Sequence, residues 1–344
     1  MPHNQPSLES TLSRAWLRRG PLACALLPLS LLFRALAALR VRLFKAGVLA
    51  STRLPVPVVV VGNIFIGGTG KTPLTIWLAE SLRAAGFTPG IISRGHGGEA
   101  GAARAVDATS RAQDVGDEPL LMARRTGCPV VVGRKRAAAG QALLAAHPEV
   151  DILIADDGLQ HYALQRDVEV LLFDARGVGN GWLLPAGPLR EAPSRRRDVT
   201  VVNAPHITPQ LAQAVGGSPF QMRLAGDYAE PLAGGARVAL SSLAGKRLAA
   251  AAGIGNPKRF FDMLRAAGLA FSELPLPDHH DFLDDPFAAV DADIILITEK
   301  DAVKCGQLEN LINDPRLWVV PVTAQLDRAL AEQIVEKCRG CSPA

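Results

Sequence analysis

The chain has 344 residues, with 37 lysines and arginines against 33 acids and 48% apolar residues. A chain this long and apolar buries an ample core, which excludes disorder as its main state, and at about 150 residues per domain it divides into two. The net charge of +4 is uneven: residues 1–53 carry eight cations (Arg14, Arg18, Arg19, Arg34, Arg40, Arg42, Lys45 and Arg53) against Glu9, net +7, and the remainder carries 29 against 32, net −3.

Pro21 to Leu39 is apolar and flanked by those cations. A nucleic-acid-binding protein spreads its basic excess over a folded face, so this pattern points instead to a membrane surface. The segment has no small-residue cleavage site, which argues against a removed signal peptide. It is long enough to cross a bilayer, but Pro28 and Arg34 interrupt it, and a central arginine costs about 2.5–3.5 kcal/mol on insertion scales. Leu29, Leu32, Phe33, Leu36 and Leu39 fall near one helical face. We expect residues 1–53 to be an anchoring arm, interfacial or spanning; the bland alternative is a buried helix with exposed arginines.

Beyond the arm, strand and helix signals alternate. Val58 to Val61 is a continuous apolar run, as in a strand buried on both faces. The segment Gly62-Asn-Ile-Phe-Ile-Gly-Gly-Thr-Gly-Lys-Thr72 follows, then a helix from about Thr72, with Pro73 suited to its first turn. A glycine loop between strand and helix presents backbone N–H groups and a helix N-terminus to phosphate. Lys71 reaches the β- and γ-oxygens and the Thr72 hydroxyl ligates Mg²⁺. Phe65 stands where the standard loop has its first glycine. The GGTGKT form resembles the loop of partition ATPases, whose signature lysine is replaced here by Ile66. A glycine turn with a surface lysine is the bland reading.

Asp114-Val-Gly-Asp117-Glu-Pro119 places acids in a turn before a helix, where N-capping is the ordinary use. Val130–Val132 reads as a strand, Arg136–Ala146 as a helix, and Gly133-Arg-Lys-Arg136 as a solvated basic face or a phosphate clamp. Asp151-Ile-Leu-Ile-Ala-Asp156-Asp157-Gly-Leu-Gln160-His161 is an apolar strand ending in acids. Asp156 is the metal candidate there, with Asp157 and Gln160 lining the site. Val168–Phe173 and Val199–Val202 read as further strands. Leu184-Pro-Ala-Gly-Pro-Leu-Arg190-Glu191 is a rigid turn presenting an Arg–Glu pair.

From about 205 to 245 proline, glycine and serine increase, with Pro219–Leu224 as an extended linker. Strands at Arg247–Ala252, Asp293–Ile297 and Leu317–Val322 then alternate with helices at Pro257–Ala267 and Arg328–Cys338. Pro277-Asp-His279-His280-Asp-Phe282 reads equally as a metal site or as a proton-handling histidine near a carboxylate. Thr298 to Lys304 reads as a charged turn after a strand. Five scattered cysteines suit a reducing compartment, and Cys338-Arg-Gly-Cys341 lacks the second pair that a zinc site needs. The expected fold class is α/β: a P-loop-like parallel-sheet lobe (54–205), a linker region (206–245) and a second α/β/α lobe (246–344), with the last helix free to pack on the first.

Together these segments resemble the tetraacyldisaccharide 4′-kinase family of lipid A biosynthesis. The resemblance rests on Val60-Val-Gly-Asn63 with GGTGKTP, Ser93-Arg-Gly95, Gly116-Asp-Glu-Pro119, Asp156-Asp-Gly-Leu-Gln-His161 and Leu184–Glu191. It continues in Gly255-Asn-Pro257, Arg259-Phe-Phe261, Pro277–His280 and Thr298–Lys304. It implies two α/β/α lobes joined by a β-linker, an N-terminal membrane helix, and residence at the cytoplasmic face of the inner membrane. It implies ATP and Mg²⁺ as cofactors and the disaccharide 1-phosphate precursor as partner, with no nucleic acid and no evident protein partner.

By that resemblance, Phe65, Ile66, Gly67, Gly68, Thr69, Gly70, Lys71 and Thr72 cradle the nucleotide. Asp117 is the base, paired with His279. Lys71 and Arg190 stabilise the transferred phosphoryl group with help from Arg136. Thr72, Asp156 and Glu191 surround Mg²⁺, with Asp157 and Gln160 close by. His96 departs from the family's usual tyrosine after Ser-Arg-Gly. The rival readings are a membrane-associated ATPase switch, which leaves the second lobe and the DHH segment unexplained, and a soluble kinase or ligase, which leaves the arm without purpose.

Overall fold

The structure, a computed structural model, describes residues 15–95, 103–107 and 109–340; His96 and Cys341 lie outside them. The first elements are α1 (Pro21–Lys45), β1 (Val58–Gly62), α2 (Lys71–Ala84), β2 (Pro89–Ser93), β3 (Arg104–Val106), α3 (Ala112–Val115) and α4 (Asp117–Thr126). Then come β4 (Val130–Val132), α5 (Arg136–Ala146), β5 (Ile152–Asp156), β6 (Val168–Asp174), β7 (Val199–Asn203), α6 (Pro209–Val215) and β8 (Phe220–Ala225). The last are β9 (Tyr228–Pro231), β10 (Val238–Ala239), β11 (Leu248–Ala252), α7 (Pro257–Ala266), β12 (Ser272–Pro275), β13 (Ile294–Thr298), α8 (Glu299–Cys305), α9 (Glu309–Ile312), β14 (Leu317–Val320), β15 (Thr323–Gln325) and α10 (Arg328–Arg339). Each strand expected from an apolar run is present within two residues of its expected ends, because those runs are buried on both faces.

Two compact units form, neither continuous in sequence. The first takes residues 1–71, 151–223 and 326–344. Its strands run parallel in the order β8-β7-β6-β1-β5. The register pairs Val61 with Asp156, Gly62 with Leu171 and Asp174 with Asn203, so the carboxyl ends of β1, β5, β6 and β7 fall along one edge. That edge is where open parallel sheets bind ligands. Helix α10 belongs to this unit, and Lys337 pairs with Asp198 at 3.1 Å.

Helix α1 also belongs to the first unit. Gly20 precedes it and Pro21 opens it, where a missing N–H costs nothing. Pro28 and Arg34 lie inside the helix without ending it. It is the one helix among the described residues long and apolar enough to cross a membrane. Leu29, Leu31, Leu32, Leu36 and Leu39 each leave more than half their surface exposed, which a core helix would not. Ser30 is buried instead and donates to the Leu183 carbonyl at 2.7 Å, while Trp16 Nε1 donates to the Pro185 carbonyl at 2.9 Å.

The second unit takes residues 72–150 and 224–325. Here β2 and β4 are parallel and β3 closes that group antiparallel. A six-stranded sheet runs β10-β9-β14-β13-β11-β12, parallel except at β9 and β10. Alternation along β11 splits the core: Leu248, Ala250 and Ala252 join Phe260, Phe261 and Leu264 of α7 on one face. Ala249 and Ala251 join Phe282, Phe287 and Cys305 on the other. The segment expected as a charged turn is helix α8. Thr298 caps it, its hydroxyl accepting from the Asp301 N–H at 3.2 Å. Val303 of α8 packs with Val115, Leu120 and Val132, which seats α8 against α3 and α4 within this unit.

Candidate active site

Two constellations of polar side chains stand out, one in each unit. In the first unit, β1 delivers its chain into the loop 63–70, where Gly67 (φ +95°) and Gly70 (φ +99°) take backbone conformations that favour glycine. A Cβ on Gly70 would meet Asn203 Nδ2 at 2.5 Å, and that amide donates to the Thr69 carbonyl at 2.9 Å. The end of β7 therefore holds the loop closed. Asn63 is fully buried at the start of the loop and donates to Gly67 O (3.2 Å) and Thr69 Oγ1 (2.9 Å). Phe65 is buried with the Arg176 guanidinium over its ring at 4.1 Å, and Ile66 N–H donates to the Pro188 carbonyl.

Lys71 opens α2, and Thr72, its next residue, is buried. Asp156 ends β5 and is buried; Asp157 follows in a left-handed conformation (φ +47°) that a short polar side chain tolerates. Its carboxylate lies 3.6 Å from Lys71 Nζ and 3.5 Å from Arg190 Nη1. Arg190 also donates to Asn63 Oδ1 at 2.6 Å and to Gln160 Oε1 at 3.3 Å, and its buried Nε has no hydrogen-bond partner among the described residues. The structure thus gathers Lys71, Asp157, Gln160 and Arg190 around one loop, with an orphaned cationic donor suited to an anion.

Glu191 sits differently from a free ligand. Its oxygens accept from Gln160 (3.0 Å) and the Tyr162 hydroxyl (2.6 Å), and Arg195 Nη1 donates to both of them (3.1 and 3.0 Å). Arg195 reaches on to Glu169 at 2.7 and 2.8 Å. Burial opposes the Arg195 charge, but Glu191 and Glu169 hold its pKa above the ordinary range. Burial, with Glu191 beside it, pushes the Tyr162 hydroxyl up as well.

In the second unit, Asp117 is the first residue of α4, after Gly116 in a positive-φ conformation (+94°). It is 4% exposed; its Oδ1 accepts from the Glu118 N–H at 2.9 Å and its Oδ2 meets His279 Nδ1 at 3.0 Å. Burial works against its charge, yet the His279 hydrogen bond and the nearby lysines hold it well below the usual carboxylate range. His279 hangs from the end of β11, its N–H donating to the Gly253 carbonyl at 3.2 Å, in a left-handed conformation (φ +60°). Gly253 is required there: a Cβ would meet Asp301 Oδ1 at 2.9 Å and the Pro277 carbonyl at 3.2 Å. The hydrogen bond to Asp117 raises the His279 pKa against the opposing effect of burial, and the ring remains 40% exposed.

Two residues that sequence reasoning missed complete this cluster. Lys300 lies 3.9 Å and Lys304 3.6 Å from Asp117 Oδ2. Their signal was the Thr-x-x-Asp cap of a helix, which puts positions 300 and 304 one turn apart on one face. Asn63 was missed too, since an asparagine in a glycine loop reads as turn chemistry. The next histidine, His280, accepts from the Phe282 N–H, and Asp281 accepts from the Leu283 N–H, so both serve the loop's own turn. Arg136 is buried in this unit at the start of α5, its Nη1 donating to the Gly133 carbonyl at 2.7 Å.

A glycine cradle between a parallel strand and a helix, flanked by a lysine, an arginine and an acid-ended strand, defines a P-loop-type phosphotransferase. The profile of the LpxK family, tetraacyldisaccharide-1-P 4′-kinase, matches residues 22–339, and the chain belongs to that family. It is 59% identical over 351 residues to the tetraacyldisaccharide 4′-kinase of Herminiimonas arsenicoxydans, covering 98% of this chain and 97% of that one. Against the kinase of the same name from Janthinobacterium sp. (strain Marseille) it is 62% identical over 343 residues, with 98% of each covered. The crystal structure of LpxK from Aquifex aeolicus in complex with ATP superposes with a TM-score of 0.75 at 29% identity, covering 92% of this chain and 99% of that one. A match of this extent takes in the DHH segment that an ATPase switch leaves unexplained, and the switch reading is not favoured.

Proposed function

We propose that the protein transfers the γ-phosphate of ATP to the 4′-hydroxyl of the tetraacyl disaccharide 1-phosphate precursor of lipid A, working at the cytoplasmic face of the inner membrane with α1 as its anchor. The observation that carries this reading is a buried carboxylate–imidazole pair with an accessible ring, in a chain that also holds a phosphate cradle and matches a lipid 4′-kinase family almost end to end. The ATP in the Aquifex aeolicus relative supports the choice of nucleotide.

Phosphoryl transfer depends on positioning and charge neutralisation more than on covalent chemistry. The loop residues 65–70 and the start of α2 bind the phosphates. Lys71 and Arg190 take up charge on the transferred group, and Arg136 is a further cation for it. Asp157 holds Lys71 and Arg190 in place, and Gln160 also holds Arg190. Oxygen donors suit Mg²⁺: Thr72 and Asp156 would hold the ion in this reading, and it would supply positive charge against the phosphates. Glu191 contributes by bracing Gln160 and Arg195, since its oxygens are already engaged.

For the acceptor, Asp117 fixes the tautomer: Nδ1–H of His279 donates to the carboxylate, which leaves Nε2 to receive the proton. Two observations favour His279 over Asp117 as that receiver: the ring is accessible, and the carboxylate is buried. The proton moves late, as the 4′-oxygen bonds to phosphorus. His279 acts when neutral, so a raised pKa sets the acidic limb of kcat/KM above the ordinary value of about 6.5, and activity falls below that limb.

The test is to incubate the full chain with γ-labelled ATP and a bacterial lipid extract in detergent micelles. Label in a disaccharide lipid supports the reading. Label only in free phosphate, or in a water-soluble acceptor, overturns it.

A further inference from the structure

A buried Asp–His pair standing alone would be a poor base near neutral pH. The carboxylate would hold the imidazole in its charged form, and a protonated ring cannot receive the acceptor's proton. The surroundings of Asp117 contain a counterweight. Helix α8 sends Lys300 and Lys304 toward the same carboxylate oxygen that faces His279, at 3.9 and 3.6 Å. Both are largely buried, with 15% and 12% of their side chains exposed.

The two lysines are not equivalent. Lys300 is shared, donating to Glu118 of α4 at 3.1 Å and to Asp278 at 3.3 Å. Lys304 Nζ is buried with no hydrogen-bond partner among the described residues, stands 5.3 Å from the centre of the Phe282 ring, and has Asp117 as its ion-pair partner at 3.6 Å. A buried ammonium bound to no oxygen is costly unless a charge nearby offsets it. The remaining charged groups at the pair are Asp278, 3.9 Å from His279 Nε2, and Asp301 of α8, whose carboxyl holds the Gly253 N–H at 3.0 Å. Burial raises the pKa of Asp301 against the opposing effects of its Thr298 and Gly253 hydrogen bonds and of both lysines, and its carboxyl holds the β11 end.

We infer that Lys300 and Lys304 are positioning residues for the proton transfer: they clamp the Asp117 carboxylate and offset its charge, so that His279 stays neutral and able to accept a proton at the working pH. The inference rests on the dyad reading above. The arrangement divides the labour on one carboxylate. Asp117 Oδ2 orients the ring by hydrogen bond while the two cations limit how strongly its charge favours imidazolium. Lys304 does so from a buried position at 3.6 Å, and Lys300 ties the same point to α4 and to the turn carrying His279.

The experiment measures kcat/KM against pH from 5.5 to 9.5, using the full chain in micelles with Mg-ATP and the tetraacyl disaccharide 1-phosphate. The variants are Lys304→Met, Lys304→Arg, Lys300→Met and His279→Gln. Removing a cation strengthens the hold of Asp117 on imidazolium, so Lys304→Met moves the acidic limb upward by about one pH unit. That lowers kcat/KM at neutral pH by about tenfold. Activity recovers at high pH, the KM for ATP stays unchanged, and Lys304→Arg keeps the parent profile. Lys300→Met moves the limb the same way. A loss of activity uniform across pH, with the limb unmoved in folded Lys304→Met, overturns the inference. If Lys304→Met fails to fold, an unmoved limb in Lys300→Met overturns it. The dyad reading fails separately: an acidic limb that persists in His279→Gln belongs to another group.

Discussion

At the residue scale, the chemistry turns on side chains whose surroundings differ from their type. Asp117 is an acid in the first turn of a helix, where the N-terminal dipole favours its charge, and it is also buried against an imidazole and two ammonium groups. That combination makes it a fixed charge rather than a titrating one. Asp117→Asn keeps the shape and removes the charge. We expect kcat to fall by about 10²-fold or more while the KM for ATP barely changes. Residual activity has its acidic limb at lower pH, because imidazolium loses the carboxylate that favours it. Steady-state kinetics across pH check both parts, and near-normal turnover at pH 7 counts against the assignment. Asp117, Lys71 and Arg190 were legible in sequence as motif residues. Lys300 and Lys304 were not, because their segment reads as a charged turn after a strand, and only the fold shows that it is a helix whose lysines meet a buried carboxylate.

At the element scale, strands were legible and their service to the site was not. The apolar runs of β1, β5, β6 and β7 specify strands buried on both faces, and β5, β6 and β7 end in the polar residues Asp156, Asp174 and Asn203, at the edge where backbone and ligand meet. What the runs leave open is which ends adjoin. Asn203 closes β7 and grips Thr69 of the loop after β1, a contact that requires the order β7-β6-β1. The segment between β6 and β7 is held likewise, by Arg195 forked between Glu169 and Glu191. Arg195 is 8% exposed, and removing one partner of a buried ionic network leaves the others uncompensated. Arg195→Met is expected to destabilise the protein by about 3 kcal/mol, read as a lowered midpoint in denaturant or thermal melts. An unchanged midpoint would mean that water already shares those carboxylates.

At the scale of the whole molecule, the charge split in the sequence acquires a structural counterpart. The basic arm carries α1, whose leucines are exposed and whose Ser30 is tied to Leu183, eight residues from Glu191 in the segment leading to it. Deleting residues 1–53 is expected to move the protein from the membrane to the soluble fraction. It would also free the Leu183 and Pro185 carbonyls from Ser30 and Trp16. Equal fractionation of the truncated and full-length chains would show that the arm is no anchor. The chain passes from the first compact unit to the second twice, after Lys71 and after Arg223. The sequence by itself determined the strands of the apolar runs, the loop and the family, because periodicity, glycine spacing and motif order are local properties that survive reading in one dimension; it left α8 as a turn. Only the tertiary structure decided which charges meet. Asp117 and His279 are 162 positions apart, and Lys304 is buried beside them, since the cost of burying a charge depends on neighbours that packing alone supplies.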